Sequence, residues 1–348
     1  MAVDWMGLAL VATVVYFQER LIYVPRLPGM PAAYQFYPHE FGLEHEDVYL
    51  DTEDGVRLHA WFMWPMGVSA EERRRRPTLV FFQENAGNMS YRLHFLGPMA
   101  DWLQVNVLIL GYRGYGESSG SPSERGLRCD ALLALRHVAA RPDVDSSKII
   151  VFGRSIGGAV ALHAASETEV PIAGLIIENT FTSLEELVPI KMPLLSPLIG
   201  PTRPMRWLLR NKWDNLKAAS RLESVPILFL SSLRDQMLPP SQMRRLFELH
   251  PSRPWRFVSF AAAGHMDAFA VDPDTYWPAV HAFVRECTGL AAPRAREPAP
   301  ATAEALDPPS AAGRSSAAAA AVADWETAST ESTSEWEKIA PGEGRAEQ

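Results

Sequence analysis

The chain has 348 residues, of which 47% are apolar and 21% charged. This balance excludes wholesale disorder and fibrous folds and leaves room for one large α/β domain with appendages, or for two ordinary domains. Two cysteines, Cys129 and Cys287, are too few for a disulfide scaffold, and no CxxC pair points to zinc. The net charge of −8 argues against nucleic acid as a partner, since phosphate binding needs a basic face. Residues 290–348 hold 10 acidic and 5 basic side chains, so the acidity sits mostly in the last part of the chain.

Trp5–Phe17 is an apolar run of thirteen residues with Thr13 its only polar member. As a helix it spans about 20 Å, short of a bilayer core of about 30 Å. A cleaved signal peptide fits poorly, because no basic n-region and no small-x-small site accompany the run. Two readings stay open: a membrane anchor or interfacial helix, and a helix docked on the protein. Residues 1–35 are therefore read as an N-terminal hydrophobic anchor and linker. The sheet begins later, so a chain starting at Gln35 is expected to keep its reactivity.

Residues 46–64 alternate apolar and polar around Asp54-Gly55, the pattern of an antiparallel hairpin. Arg73–Arg76 reads as a solvated loop. From residue 78 short β-rich runs recur at Thr78–Phe82, Val105–Leu110, Lys148–Phe152, Ile172–Ile177, Pro226–Ser231 and Arg256–Phe260. Helical patterns separate the early runs, the clearest being Glu124–Ala140 with Leu127, Ala131, Leu135 and Val138 on one stripe. Buried strands alternating with helices predict a mostly parallel central sheet flanked by helices on both faces. Residues 179–224 interrupt the alternation with an apolar insert rich in proline, which breaks long helices, so short helical pieces are expected. Residues 289–348, rich in Ala, Pro, Ser, Thr and Glu, read as a disordered acidic tail.

Gly153-Arg154-Ser155-Ile156-Gly157 follows the strand pattern KIIVF and precedes a small-residue helix, the context of a G-x-S-x-G nucleophile elbow. Ser155 is then the candidate nucleophile, and the Ile156 N–H one oxyanion donor. Such a serine needs a base and an orienting acid, which arrive in the chain order Ser, acid, His at the carboxyl ends of strands. Asp235 follows the strand pattern PILFLSS and His265 follows RFVSF. Glu178, closing the run LII, is a rival for the acid.

The stretches NAGN at 85–88, YRGYGES at 112–118, GRSIGGAVALHAASE at 153–167, ENTF at 178–181, SLRDQMLPP at 232–240 and ELHPSR at 248–253 resemble the α/β-hydrolase domain-containing protein 13 family of membrane-anchored serine hydrolases. The resemblance runs across residues 79–265. It implies an α/β-hydrolase fold, Ser155 as nucleophile, Asp235 as acid, His265 as base, and a single-pass N-terminal anchor that places the protein at a membrane. Where the family pattern reads His-Gly-Asn-Ala-Gly-Asn, this chain has Gln83-Glu84-Asn85-Ala86-Gly87-Asn88. The last four positions match, which makes Asn85 the candidate second oxyanion donor. Glu84 in place of glycine is expected to oppose the oxyanion, so Glu84→Gly is expected to raise turnover.

The expectation is an α/β-hydrolase domain over 36–288, with 179–224 as a lid insert that favours acyl groups. It cleaves an ester or thioester of a lipid or an acylated protein through an acyl-enzyme, with no metal or organic cofactor. A serine peptidase is one alternative, and a membrane-tethered binding protein with an impaired site is another.

Overall fold

Eight strands form one sheet in the computed structural model, which describes residues 12–27, 31–249 and 255–289. The tail and residues 1–11, which include most of the apolar run, lie outside the described residues. Strands β1 (Leu43–Asp51) and β2 (Arg57–Pro65) pair antiparallel from Leu43 opposite Pro65 to Asp51 opposite Arg57, closing the hairpin at Asp54-Gly55. Gly55 takes a φ of 78°, the left-handed conformation such a turn requires. Strands β3 (Thr78–Phe82), β4 (Asn106–Leu110), β5 (Ile149–Arg154), β6 (Gly174–Glu178), β7 (Ile227–Ser232) and β8 (Trp255–Phe260) are mutually parallel, and β2 joins them antiparallel through β4.

The strand order is β1-β2-β4-β3-β5-β6-β7-β8. Strand β3 therefore has β4 on one side and β5 on the other, and the chain direction across the sheet reverses there. At such a switch point the loops leaving the carboxyl ends of β3 and β5 part and leave a crevice. The central strands are buried along their whole length, which is why they read in the sequence as continuous apolar runs.

Helices cover both faces. On one, Glu124–Ala140, Ile156–Glu167, Asn215–Ser220 and Pro240–Glu248 contribute Leu127, Leu135, Val160, Leu162, Ala219 and Leu246 to one core cluster. On the other, Leu93–Leu103, Ala268–Val271 and Pro273–Thr288 contribute Leu96, Met99, Phe269, Tyr276 and Phe283 to the second. The insert is broken into short pieces, as its prolines require: a helix over Leu184–Lys191 and single 3-10 turns at Pro193–Leu195 and Arg206–Leu208. Leu195, Ile199, Leu209 and Trp213 are buried, whereas Leu194 and Trp207 remain 68% and 70% exposed.

Two local expectations are corrected. The arginine run is not a loop: Ala70–Arg75 is a helix, started by a reciprocal capping box in which Ser69 Oγ accepts the Glu72 N–H and the Glu72 carboxylate accepts the Ser69 N–H. Arg73 from this helix reaches Asp143 at 2.9 Å and stacks over Trp64. The segment ahead of Gln35 is also more than a linker. Its helix Gln18–Ile22 and the residues after it dock on the domain, with Tyr23 and Leu27 buried. Gln18 Nε2 donates to the Leu208 carbonyl, and Tyr23 Oη donates to Asn211 Oδ1 while accepting from Trp213 Nε1. Removing everything before Gln35 would strip these contacts, so full reactivity of such a chain is no longer expected.

Candidate active site

Ser155 is the single residue between β5 and the helix Ile156–Glu167, with φ 56° and ψ −124°. A non-glycine residue held at such angles costs about 1–3 kcal/mol and persists only when its surroundings fix it. Here they do. The Ser155 N–H donates to the Glu178 carbonyl, and the Ser155 carbonyl accepts from the Gly158 N–H at 2.9 Å and Thr180 Oγ1 at 2.7 Å. The turn also demands glycines: a Cβ on Gly153 would lie 2.1 Å from the Gly157 carbonyl oxygen, and one on Gly157 would lie 2.0 Å from that of Phe82. Ser155 is 8% exposed and stands at the end of a helix whose first N–H groups, beginning with Ile156, have no intrahelical acceptor.

His265 and Asp235 are brought together across thirty residues. Asp235 Oδ2 lies 2.6 Å from His265 Nδ1, while Oδ1 accepts the N–H groups of Met237 and Leu238 at 2.8 Å. The loops that carry them are joined by backbone bonds from Leu233 to Phe260 and from Arg234 to Ala263. The ring nitrogen facing a carboxylate carries the proton, which leaves Nε2 as the basic nitrogen. Glu178 does not share this role. Its carboxylate is fully buried against Arg154 at 3.0 Å and the Tyr276 hydroxyl at 2.9 Å, and burial raises its pKa above the usual carboxylate value.

Asn179 is a residue that the spacing argument missed. With φ 44°, it donates through Nδ2 to the His265 carbonyl at 2.8 Å and to Ser232 Oγ, and its Oδ1 accepts the Ser232 N–H. Ser155 is thus tied to the backbone of residue 178 and His265 to the side chain of residue 179. Its signal was present in the ENTF stretch, as an asparagine immediately after a buried strand.

The loop after β3 places Asn85 beside the docked N-terminal segment. Asn85 Oδ1 accepts from the Val24 N–H and the Tyr115 hydroxyl, and Nδ2 donates to the Ile22 carbonyl. Arg92, also missed, bonds the carbonyl of Ala86 at 2.6 Å and approaches those of Glu84 and Asn85 at 3.5 Å. Its Nε lies 2.9 Å from the Glu84 carboxylate, and both side chains are almost wholly buried. Glu84 is therefore charge-paired, and the expectation that it opposes an oxyanion loses its basis. Among the described residues, no cluster of three or more His, Cys, Asp or Glu is placed to hold a metal ion.

No family model matches the chain. It is 41% identical to the alpha/beta hydrolase domain-containing protein WAV2 of Arabidopsis thaliana over 276 residues, which cover 77% of this chain and 87% of that protein. Protein bem46 of Schizosaccharomyces pombe is 36% identical, with coverage of 78% and 86%, and the membrane protein YNL320W of Saccharomyces cerevisiae is 32% identical, with coverage of 79% and 92%. Among solved structures, the Pyrococcus furiosus esterase Pf2001 superposes with a TM-score of 0.58 at 18% identity, over 77% of this chain and all of that one. An acetyl xylan esterase from Paenibacillus sp. R4 gives 0.57 at 21%, over 80% and 93%. These two likenesses establish the α/β-hydrolase fold.

Proposed function

Since the chain belongs to the alpha/beta hydrolase domain-containing proteins, we propose that it is a serine hydrolase that cleaves an ester or thioester of a lipid or an acylated protein. The observation that carries the reading is the strained Ser155 at the strand–helix turn, with the His265–Asp235 pair at neighbouring strand ends. His265 Nε2 takes the Ser155 proton as Oγ attacks the acyl carbonyl, and Asp235 holds the imidazole in that tautomer. The N–H groups of Ile156 and Asn85 receive the oxyanion, one such donor being worth about 3–4 kcal/mol. Collapse expels the alcohol or thiol, which takes the proton from His265, and water then releases the acyl group by the same steps in reverse order. Pairing of Glu84 with Arg92 weakens the alternative of a failed site, which rested on an uncompensated charge.

The acyl preference rests on the insert. Residues 187–213 contain five basic side chains and no acidic one in a chain of net charge −8; Arg206 and Lys212 face Glu185 and Arg210 pairs with Glu19, and Leu194 and Trp207 stand exposed among them. Exposed apolar side chains with basic neighbours suit an anionic lipid surface. Tyr16, at the end of the apolar N-terminal run, is also exposed, and its carbonyl accepts a hydrogen bond from Arg210 of the insert. Attachment at a membrane is part of this reading. Among the described residues no helix is long and apolar enough to cross one, and most of the apolar N-terminal run lies outside them.

Hydrolysis of p-nitrophenyl esters of rising acyl length, beside matched thioesters and peptide amides, tests the proposal. Activity should rise from acetate to medium-chain esters and vanish in Ser155→Ala. Cleavage of the amides alone would transfer the assignment to a peptidase.

A further inference from the structure

Asn85 occupies an unusual position, because its backbone belongs to the proposed oxyanion loop while its side chain belongs to a different contact. We propose that residues Ile22–Val24 latch the oxyanion loop through the Asn85 side chain, which makes a segment ahead of the sheet a positioning element for the acyl-transfer step. The proposal rests on the serine hydrolase reading.

The latch has three ties. The Val24 N–H donates to Asn85 Oδ1 at 3.0 Å, Asn85 Nδ2 donates to the Ile22 carbonyl at 2.5 Å, and the Gly87 N–H donates to the Val24 carbonyl at 3.1 Å. The buried Tyr115 hydroxyl completes the Asn85 acceptor at 2.7 Å. The loop needs such support. Ala86 and Gly87 follow one another with φ values of 70° and 69°, and an alanine in the left-handed region is disfavoured by about 1–2 kcal/mol. Left to its own preferences, the backbone would turn the Asn85 N–H elsewhere. Arg92 holds the carbonyl side of the loop and Ile22–Val24 hold the other.

The same segment also grips the insert. Gln18 exchanges bonds with the Leu208 carbonyl and the Arg210 N–H, Glu19 pairs with Arg210 and Asn211, and Tyr23 joins Asn211 to Trp213. Oxyanion loop and insert are therefore referenced to one strap. An oxyanion donor works only within about 2.7–3.1 Å of the developing charge. A small displacement of the strap should accordingly reduce turnover before it affects substrate binding.

Two substitutions in the full chain break the latch from opposite sides. Val24→Pro deletes the donor, and Asn85→Ala deletes the side chain while keeping the backbone N–H. Each should lower kcat for a short ester at least about tenfold with KM within about twofold, a split that a merely structural role would not produce. The double variant should lose no more than Asn85→Ala alone, because the Val24–Asn85 bond is common to both substitutions and Asn85→Ala already removes it together with the ties to Ile22 and Tyr115. Amide exchange at residues 85–87 should accelerate in each variant while that of β5 stays unchanged. A kcat within twofold of the parent, an additive double variant, or unchanged exchange in the loop would overturn the latch. If Val24→Pro fails to fold, Asn85→Ala with the exchange measurement decides. A parent protein without Ser155-dependent turnover would overturn the hydrolase reading instead, and the exchange measurement would still decide the latch.

Discussion

The Glu84 carboxylate lies 2.9 Å from Arg92 Nε with both groups almost fully buried, so its charge is matched where it stands. Burial lowers the Arg92 pKa and the Glu84 carboxylate opposes that shift, while the guanidinium bonds the Ala86 carbonyl. Removing one partner of a buried pair is costly, typically about 3–5 kcal/mol, because the other charge is left uncompensated. Glu84→Gly should therefore lower the melting temperature by about 6–20 °C, at roughly 2–4 °C per kcal/mol for a domain of this size, and turnover should fall. Thermal unfolding and ester kinetics on the same preparation check this. A raised turnover at unchanged stability would restore the view of Glu84 as an opposing charge. The placement of Ser155, Asp235 and His265 just after strands was legible in the sequence because each follows a strand pattern. The Glu84–Arg92 pair was not, because two charges eight residues apart in an irregular segment leave no periodic trace.

At the scale of elements, legibility followed burial. The run at Thr78–Phe82 and the helix at Glu124–Ala140 begin and end where the pattern of apolar residues places them. Strands β4, β5 and β6 begin one or two residues later than their apolar runs, since hydrophobicity marks what is buried and pairing marks what is strand. The helix over Ala70–Arg75 escaped because none of its residues is buried, and only the capping box Ser69–Glu72 announced it. The docked segment Gln18–Val24 escaped for a related reason. Its contacts, single polar bonds and the packing of Ile22 and Tyr23 on the core, all reach parts of the chain distant in sequence, which no local pattern encodes. The elbow gives the sharpest test at this scale. Gly157→Ala places a methyl group 2.0 Å from the Phe82 carbonyl oxygen, backbone against backbone. The helix must then move off β3, and the protein should lose Ser155-dependent activity together with several degrees of melting temperature. Full activity in Gly157→Ala would mean that the helix is not fixed against β3 as described.

Across the whole molecule, the segment Gln18–Val24 links the loop after β3 to the insert, and the insert exposes Leu194 and Trp207. The full-length protein should partition onto vesicles containing phosphatidylserine more strongly than onto phosphatidylcholine alone. The difference should shrink about tenfold or more in the Arg203→Glu, Arg206→Glu double variant, at roughly 1 kcal/mol per basic side chain near the surface. Equal binding to both lipids would leave attachment to the apolar N-terminal run alone. The proposed acyl-transfer chemistry depends on Ser155 being a nucleophile activated by His265. Peptide mass spectrometry after exposure to a fluorophosphonate measures that most directly. A single phosphonyl adduct should appear on Ser155, be absent in Ser155→Ala, and form at least about a hundredfold more slowly in His265→Ala. A folded protein that takes up no adduct, or one labelled equally well in Ser155→Ala, would contradict the account.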